Sequence, residues 1–206
     1  MSGAASSSNR GPKLGPNCGP YHGPGHNNGP TMEPGESWRR FAWTRARAAL
    51  LPTLPIEVVR LRVKRAAEIG LDYRTYASVR AASGHDVVAF LFSTNALRLL
   101  PQHPALPVDR ATKLAAIHGC GRVALVQGAL TPATVLQAGA GVIDAAALAP
   151  LPFASYPQAR AVLRAALAGV PADRVVLVGD LGLERDWCAA GALAYYLPAE
   201  RYFGAV

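Results

Sequence analysis

Two carboxylates four positions apart, Asp180 and Glu184, follow the apolar run Val175-Val176-Leu177-Val178 and a glycine, Gly179. Carboxylates are hard oxygen ligands for an ion such as magnesium. At the start of a helix they also serve as caps and meet the positive end of its dipole. Ser93, Thr94 and Asn95 follow another apolar run, and Gln127-Gly128 follow a third. These seven residues are the ligand-pocket candidates. Cys120, between Gly119 and Gly121 and two residues from His118, resembles an activated thiol on paper, but adjacent side chains in a turn rarely face each other and an ordinary loop is the better account. Cys188 reads as core. Cys18, His22 and His26 are spaced four apart, as zinc ligands on a helix would be. The stretch is rich in Gly and Pro and has no evident fourth ligand, so no metal site is expected there.

The elements that must position these groups are strands and helices in alternation. Asp86–Phe92 reads as the first strand, Arg122–Gln127 as the second, Gly141–Ile143 as a brief third and Val175–Val178 as the fourth. Leu193–Leu197 closes the series. Helices fall between them at 108–118, 131–137, 155–169 and 184–190, with Thr131-Pro132 as a cap and first-turn pair. Alternation over this length predicts an α/β fold with a parallel, Rossmann-like sheet and flanking helices. Ligands in such folds bind at the carboxyl edge of the strands, which is where Asp180 falls.

Ahead of the sheet lie two other kinds of sequence. Residues 1–35 are Gly, Pro, Ser and Asn with few apolar side chains, the composition of a disordered tail. Residues 36–84 form a basic helical segment, and 85–206 the α/β domain. In the first helix Trp38, Phe41, Ala42, Ala46, Ala49 and Leu50 share a face opposite Arg40 and Arg47. In the second, opened by Pro55 and closed by Gly70, the expected stripe is Ile56, Val59, Val63, Ala66 and Ala67. Arg60, Arg62, Lys64 and Arg65 occupy much of the remainder. A third helix runs from Tyr73 to Ala82 behind an Asp72 cap.

Charge follows this division. The 206 residues carry a net +8, and residues 36–80 hold ten Arg and Lys against four Asp and Glu. An acidic partner or a nucleic acid would meet that segment, through Arg40, Arg47, Arg60, Arg62, Lys64 and Arg65. Solvated helix faces account for the same residues. No apolar run is long enough to span a membrane, and the first ten residues lack the apolar region of a secretory signal. Three cysteines in distant segments do not form a disulfide framework, so a reducing cytoplasm is the default.

The chain Val175 to Leu197, VVLVGDLGLERDWCAAGALAYYL, resembles the last motif of the haloacid dehalogenase-like phosphohydrolase superfamily. Asp180 and Glu184 match its two carboxylates, Ala190-Gly191 its small pair, and Gly169–Arg174 its preceding loop. The resemblance implies a first strand ending in Asp-x-Asp, with the first Asp a phosphoryl-accepting nucleophile. In FLFSTNAL, Leu91 stands at the nucleophile's place and Ser93 at the second Asp. Gln127-Gly128 replaces the Thr or Ser of the second motif, and Arg160 is nearest to the expected Lys. Leucine has no nucleophilic atom, and two carboxylates make a poor magnesium cage. The expectation is a non-catalytic domain that binds or regulates, with no cofactor. A nucleic-acid-binding protein acting through residues 38–82 and a hydrolase using Ser93 or Cys120 are the alternatives.

Overall fold

The structure is a computed structural model and describes Arg45 and residues 54–204. The tail 1–35 with Cys18, His22 and His26, and the first basic helix with Arg40 and Arg47, lie outside the described residues. Helices α1 (Ile56–Glu68) and α2 (Tyr73–Ser83) lead into strand β1 (Ala89–Ser93). Then come α3 (Val108–Ala115), β2 (Gly121–Val126), α4 (Pro132–Ala138) and β3 (Ala145–Leu148). The chain finishes with α5 (Tyr156–Leu167), β4 (Val175–Gly179), α6 (Gly182–Gly191), β5 (Tyr195–Pro198) and a short α7 (Ala199–Phe203).

All five strands are parallel, in the order β3-β2-β1-β4-β5. This is a Rossmann-like α/β sheet. Strands β1, β2 and β3 are laid down in one direction, and the chain then crosses back to place β4 on the other side of β1. The order therefore reverses between β1 and β4, a switch point of the kind at which open α/β sheets bind ligands, at the carboxyl edge. Strands β1 and β4 are buried at every position, as continuous apolar runs in a doubly covered sheet should be.

Side chains alternate between two cores. Phe90, Phe92, Val176 and Val178 face one layer, with Ala66 of α1 and Ile69 just after it, Tyr76 and Val79 of α2, Leu114 of α3 and Tyr202 of α7. Ala89, Leu91, Val175 and Leu177 face the other, with Leu163 and Leu167 of α5 and Trp187 of α6. Helices α1 and α2 thus supply part of the sheet's own core, and residues from Leu54 onward form one compact unit. The boundary expected between 84 and 85 falls inside that unit.

Two expectations are corrected. The third strand is Ala145–Leu148 and not Gly141–Ile143. Gly141 takes a left-handed φ of 82°, and the amide of Ile143 bonds back to Gly139 O at 2.9 Å, so that segment is a turn. The alanines of β3 owe their extended form to pairing with β2 more than to propensity. The stripe of α1 is rotated: Ala66 and Ile69 are buried, whereas Ile56 and Val63 are exposed. The cause is Arg65, which turns inward. Its Nε meets Asp86 Oδ2 at 3.1 Å, and its Nη2 donates to Val87 O at 3.0 Å and Gly119 O at 2.9 Å. That set ties α1 to the entrances of β1 and β2. Among the described residues no helix is long and apolar enough to cross a membrane.

Candidate functional site

The switch point brings together most of the polar residues picked out from sequence. Strand β1 ends at Ser93, strand β2 at Val126 and strand β4 at Gly179, so Thr94 and Asn95, Gln127 and Gly128, and Asp180 all lie at the carboxyl edge. Helix α6 then swings Glu184 back over it. The Glu184 carboxylate is fully buried. Its Oε1 accepts from Asn95 Nδ2 at 3.0 Å and from Gln127 Nε2 at 2.7 Å. Its Oε2 accepts from the amides of Asp180 at 2.6 Å and Leu181 at 3.1 Å. Asn95 Nδ2 also donates to Gln127 Oε1 at 2.8 Å. One carboxylate, satisfied by four neutral N–H donors, thereby ties the loops after β1, β2 and β4 together.

Gly179 makes this possible. A Cβ there would overlap the Glu184 carboxylate and come within 2.8 Å of Tyr196 Cε2. The Tyr196 hydroxyl donates to Leu181 O at 3.2 Å, and burial, followed by the charge of Glu184, raises its pKa. Glycine at the end of β4 is thus a requirement of close approach, beyond its role as a strand terminator.

The capping role divides differently from expectation. Glu184 takes the free amides at the start of α6, whereas Asp180 is exposed and makes no hydrogen bond through its side chain among the described residues. The other hydroxyls are turned inward. Ser93 Oγ accepts from the Ala96 amide at 3.0 Å, and Thr94 Oγ1 accepts from the Gln127 amide at 3.2 Å. Both side chains are buried. They shape the β1 and β2 loops and leave Asn95 and Gln127 as the half-buried side chains at this edge. Gly128 is exposed, with a left-handed φ of 68°.

The strand register corrects the position given to Leu91. Leu91 pairs with Val123 and Leu177 in mid-strand and is fully buried between α5 and α6. It lies two residues short of the edge, where Ser93 stands. Burial pushes the Cys120 thiol up to about 12, which disfavours the thiolate, the reactive species. Cys188 is buried in the α5–α6 core, its thiol up to about 11.

Magnesium does not fit these residues. A divalent cation needs free oxygens, but both oxygens of Glu184 face N–H donors and only Asp180 offers a free carboxylate. Among the described residues no group of three His, Cys, Asp or Glu side chains is placed to hold a metal. Of the basic residues expected on α1, Arg60 and Lys64 are exposed, Arg62 is half-buried and Arg65 is spent on the fold. Arg60 is paired with Glu57 at 2.9 Å.

Sequence reasoning missed Gly179, Tyr196 and a buried arginine, Arg110. The last had a signal. Arg110 shares a helical face with Leu114 and Ile117 at spacings of four and three, so a charged side chain sits in an apolar stripe. Comparison with protein-family models, with curated proteins and with solved structures returned no match.

Proposed function

We propose that this chain is a non-catalytic binding or regulatory protein, descended from a haloacid dehalogenase-like ancestor, that receives a small ligand at the carboxyl edge between β1 and β4. One observation carries the reading. At the place where a hydrolase would hold a nucleophile and a proton-transfer group, the edge is closed by Asn95, Gln127 and Glu184 bonded to one another. Amides do not transfer protons at neutral pH, and a carboxylate that accepts four N–H bonds has no lone pair aimed at a substrate. Among the described residues neither Ser93 nor Thr94 has a histidine or carboxylate partner to activate it. Strand order and the Gly-Asp turn after β4 support the ancestry.

The test is a panel of phosphomonoesters, carboxylic esters and amides, with and without magnesium. No turnover above the uncatalysed rate is expected. Turnover that disappears in Asp180→Asn would overturn the reading. The alternative of nucleic-acid binding is confined on the described residues to Arg60, Arg62 and Lys64, because Arg65 is committed to Asp86 and three carbonyls.

A further inference from the structure

Among the described residues Arg110 is the only buried cation, with 5 % of its surface exposed. Its Nη1 donates to Ala96 O, and its guanidinium carbon lies 4.3 Å from the centre of the Phe203 ring. Its Nε is buried with no hydrogen-bond partner. No carboxylate of the described residues forms an ion pair with it.

This is a costly arrangement. A guanidinium stays charged at neutral pH. An apolar side chain of similar volume would fill the same space with no loss, and often with a gain, in stability. The carbonyl of Ala96 and the face of Phe203 hold the guanidinium plane without supplying a full negative charge. Ala96 directly follows Asn95, so the guanidinium that carries the orphaned Nε–H is anchored to the β1 loop beside Asn95. A second guanidinium, Arg98, stands two residues further along that loop on a left-handed φ of 55°. Its charge, after burial, depresses the Arg110 pKa, while Asp109 and Asp180 oppose the shift from a distance. Two cations thus stand near one loop, one of them buried with a free donor, and among the described residues neither Asp180 nor Glu184 pairs with the buried one.

We infer that Arg110, assisted by Arg98, is the counter-charge of an oxyanion site beside the β1 loop, which takes the carboxylate or phosphate group of a small anionic ligand. The planar fork of a guanidinium suits either group, and a charge-assisted bond from the free Nε would satisfy the orphaned donor. The site rests on the reading of this edge as a binding crevice and adds the chemical class of the ligand.

The experiment follows the Arg110 Nε–H signal by nitrogen–proton NMR on the full chain. Sodium acetate and inorganic phosphate are titrated separately, at ionic strength held constant with sodium chloride. A saturable shift with one or both anions is expected, and whichever moves the signal names the ligand's charged group. Arg110→Met should weaken that binding by roughly tenfold to a hundredfold, and Arg98→Gln by a smaller factor. Arg98 is exposed, so its variant folds even if Arg110→Met does not. A signal unmoved by either anion would overturn the inference, as would unchanged binding in Arg110→Met. A neutral ligand held at the edge with the Nε–H unmoved would overturn it and leave the binding reading standing. Catalytic turnover with the Nε–H shift intact would support the site and overturn the non-catalytic reading.

Discussion

Asn95 and Glu184 lie 89 positions apart in sequence and meet at 3.0 Å across the switch point. Glu184 is the centre of that meeting, because its two oxygens serve four donors from three loops. Glu184→Leu would leave two amides and two side-chain donors unpaired in a buried place. An unsatisfied buried group costs about 1–3 kcal/mol, so urea unfolding should show a loss of about 3 kcal/mol or more. Glu184→Gln should fall between, since its new N–H₂ faces donors already present.

Asn95→Asp sets a second carboxylate against the first. Like charges at such a separation raise the pKa of one carboxyl in the folded state. The native protein then binds more protons than the unfolded chain, so its stability falls as pH rises. Stability measured against pH should show the variant weakest at neutral pH and recovering toward the parent on acidification. A loss that is flat with pH would mean that the two side chains separate.

Leu91→Asp is expected to unfold the protein. Burying the leucine contributes about 1.5–3 kcal/mol, and an unpaired carboxylate between α5 and α6 adds a desolvation cost of several kcal/mol. The far-ultraviolet circular dichroism of a folded α/β protein should be lost. A folded Leu91→Asp protein would place residue 91 nearer the edge than its pairing with Leu177 allows.

The fold class was legible in the sequence because apolar runs ended by Gly or polar residues are strong signals. The convergence of Asn95, Gln127 and Glu184 was legible only as a set of residues at strand ends. Which strands are neighbours is a tertiary fact, and so is the role of Glu184. Leu91 was misplaced because a strand's last residue is set by its register with β2 and β4, which a single run of FLFSTNAL does not encode. The stripe of α1 went wrong for a similar reason. A helical wheel counts apolar residues, and it gave no weight to an arginine whose partners, Asp86, Val87 and Gly119, lie 21 or more residues away.

Arg65→Met should destabilise the chain by about 2–4 kcal/mol, since it leaves carbonyls and Asp86 without their donor. Arg60→Glu and Lys64→Glu should change stability by less than about 0.5 kcal/mol, as exposed substitutions do. Thermal unfolding of the three variants separates these roles. Equal effects would mean that Arg65 is as solvated as its neighbours.

Asp144 links pH to stability through Arg122, whose Nη2 and Nε approach it at 2.7 and 3.1 Å. The Arg122 side-chain hydrogen bond holds its carboxyl below the ordinary range. The native state therefore binds fewer protons there than the unfolded chain. The resulting stability is present above the ordinary carboxylate pKa of about 4 and lost as pH falls through the lowered value. Asp144→Asn should flatten the acid limb of the stability profile and leave the alkaline limb unchanged.

The burial of Ala66, Ile69, Tyr76 and Val79 against Phe90, Phe92 and Tyr202 sets a minimum length for a foldable fragment. A polypeptide begun at residue 85, where the charge pattern invites a cut, would leave the aromatic face of the sheet open to water. It would also strand the Tyr202 hydroxyl, which donates to Ile69 O at 3.3 Å. Such a fragment should aggregate, whereas one begun at Leu54 keeps both layers. Helices that look like a cationic appendage in the sequence are one wall of the hydrophobic chamber.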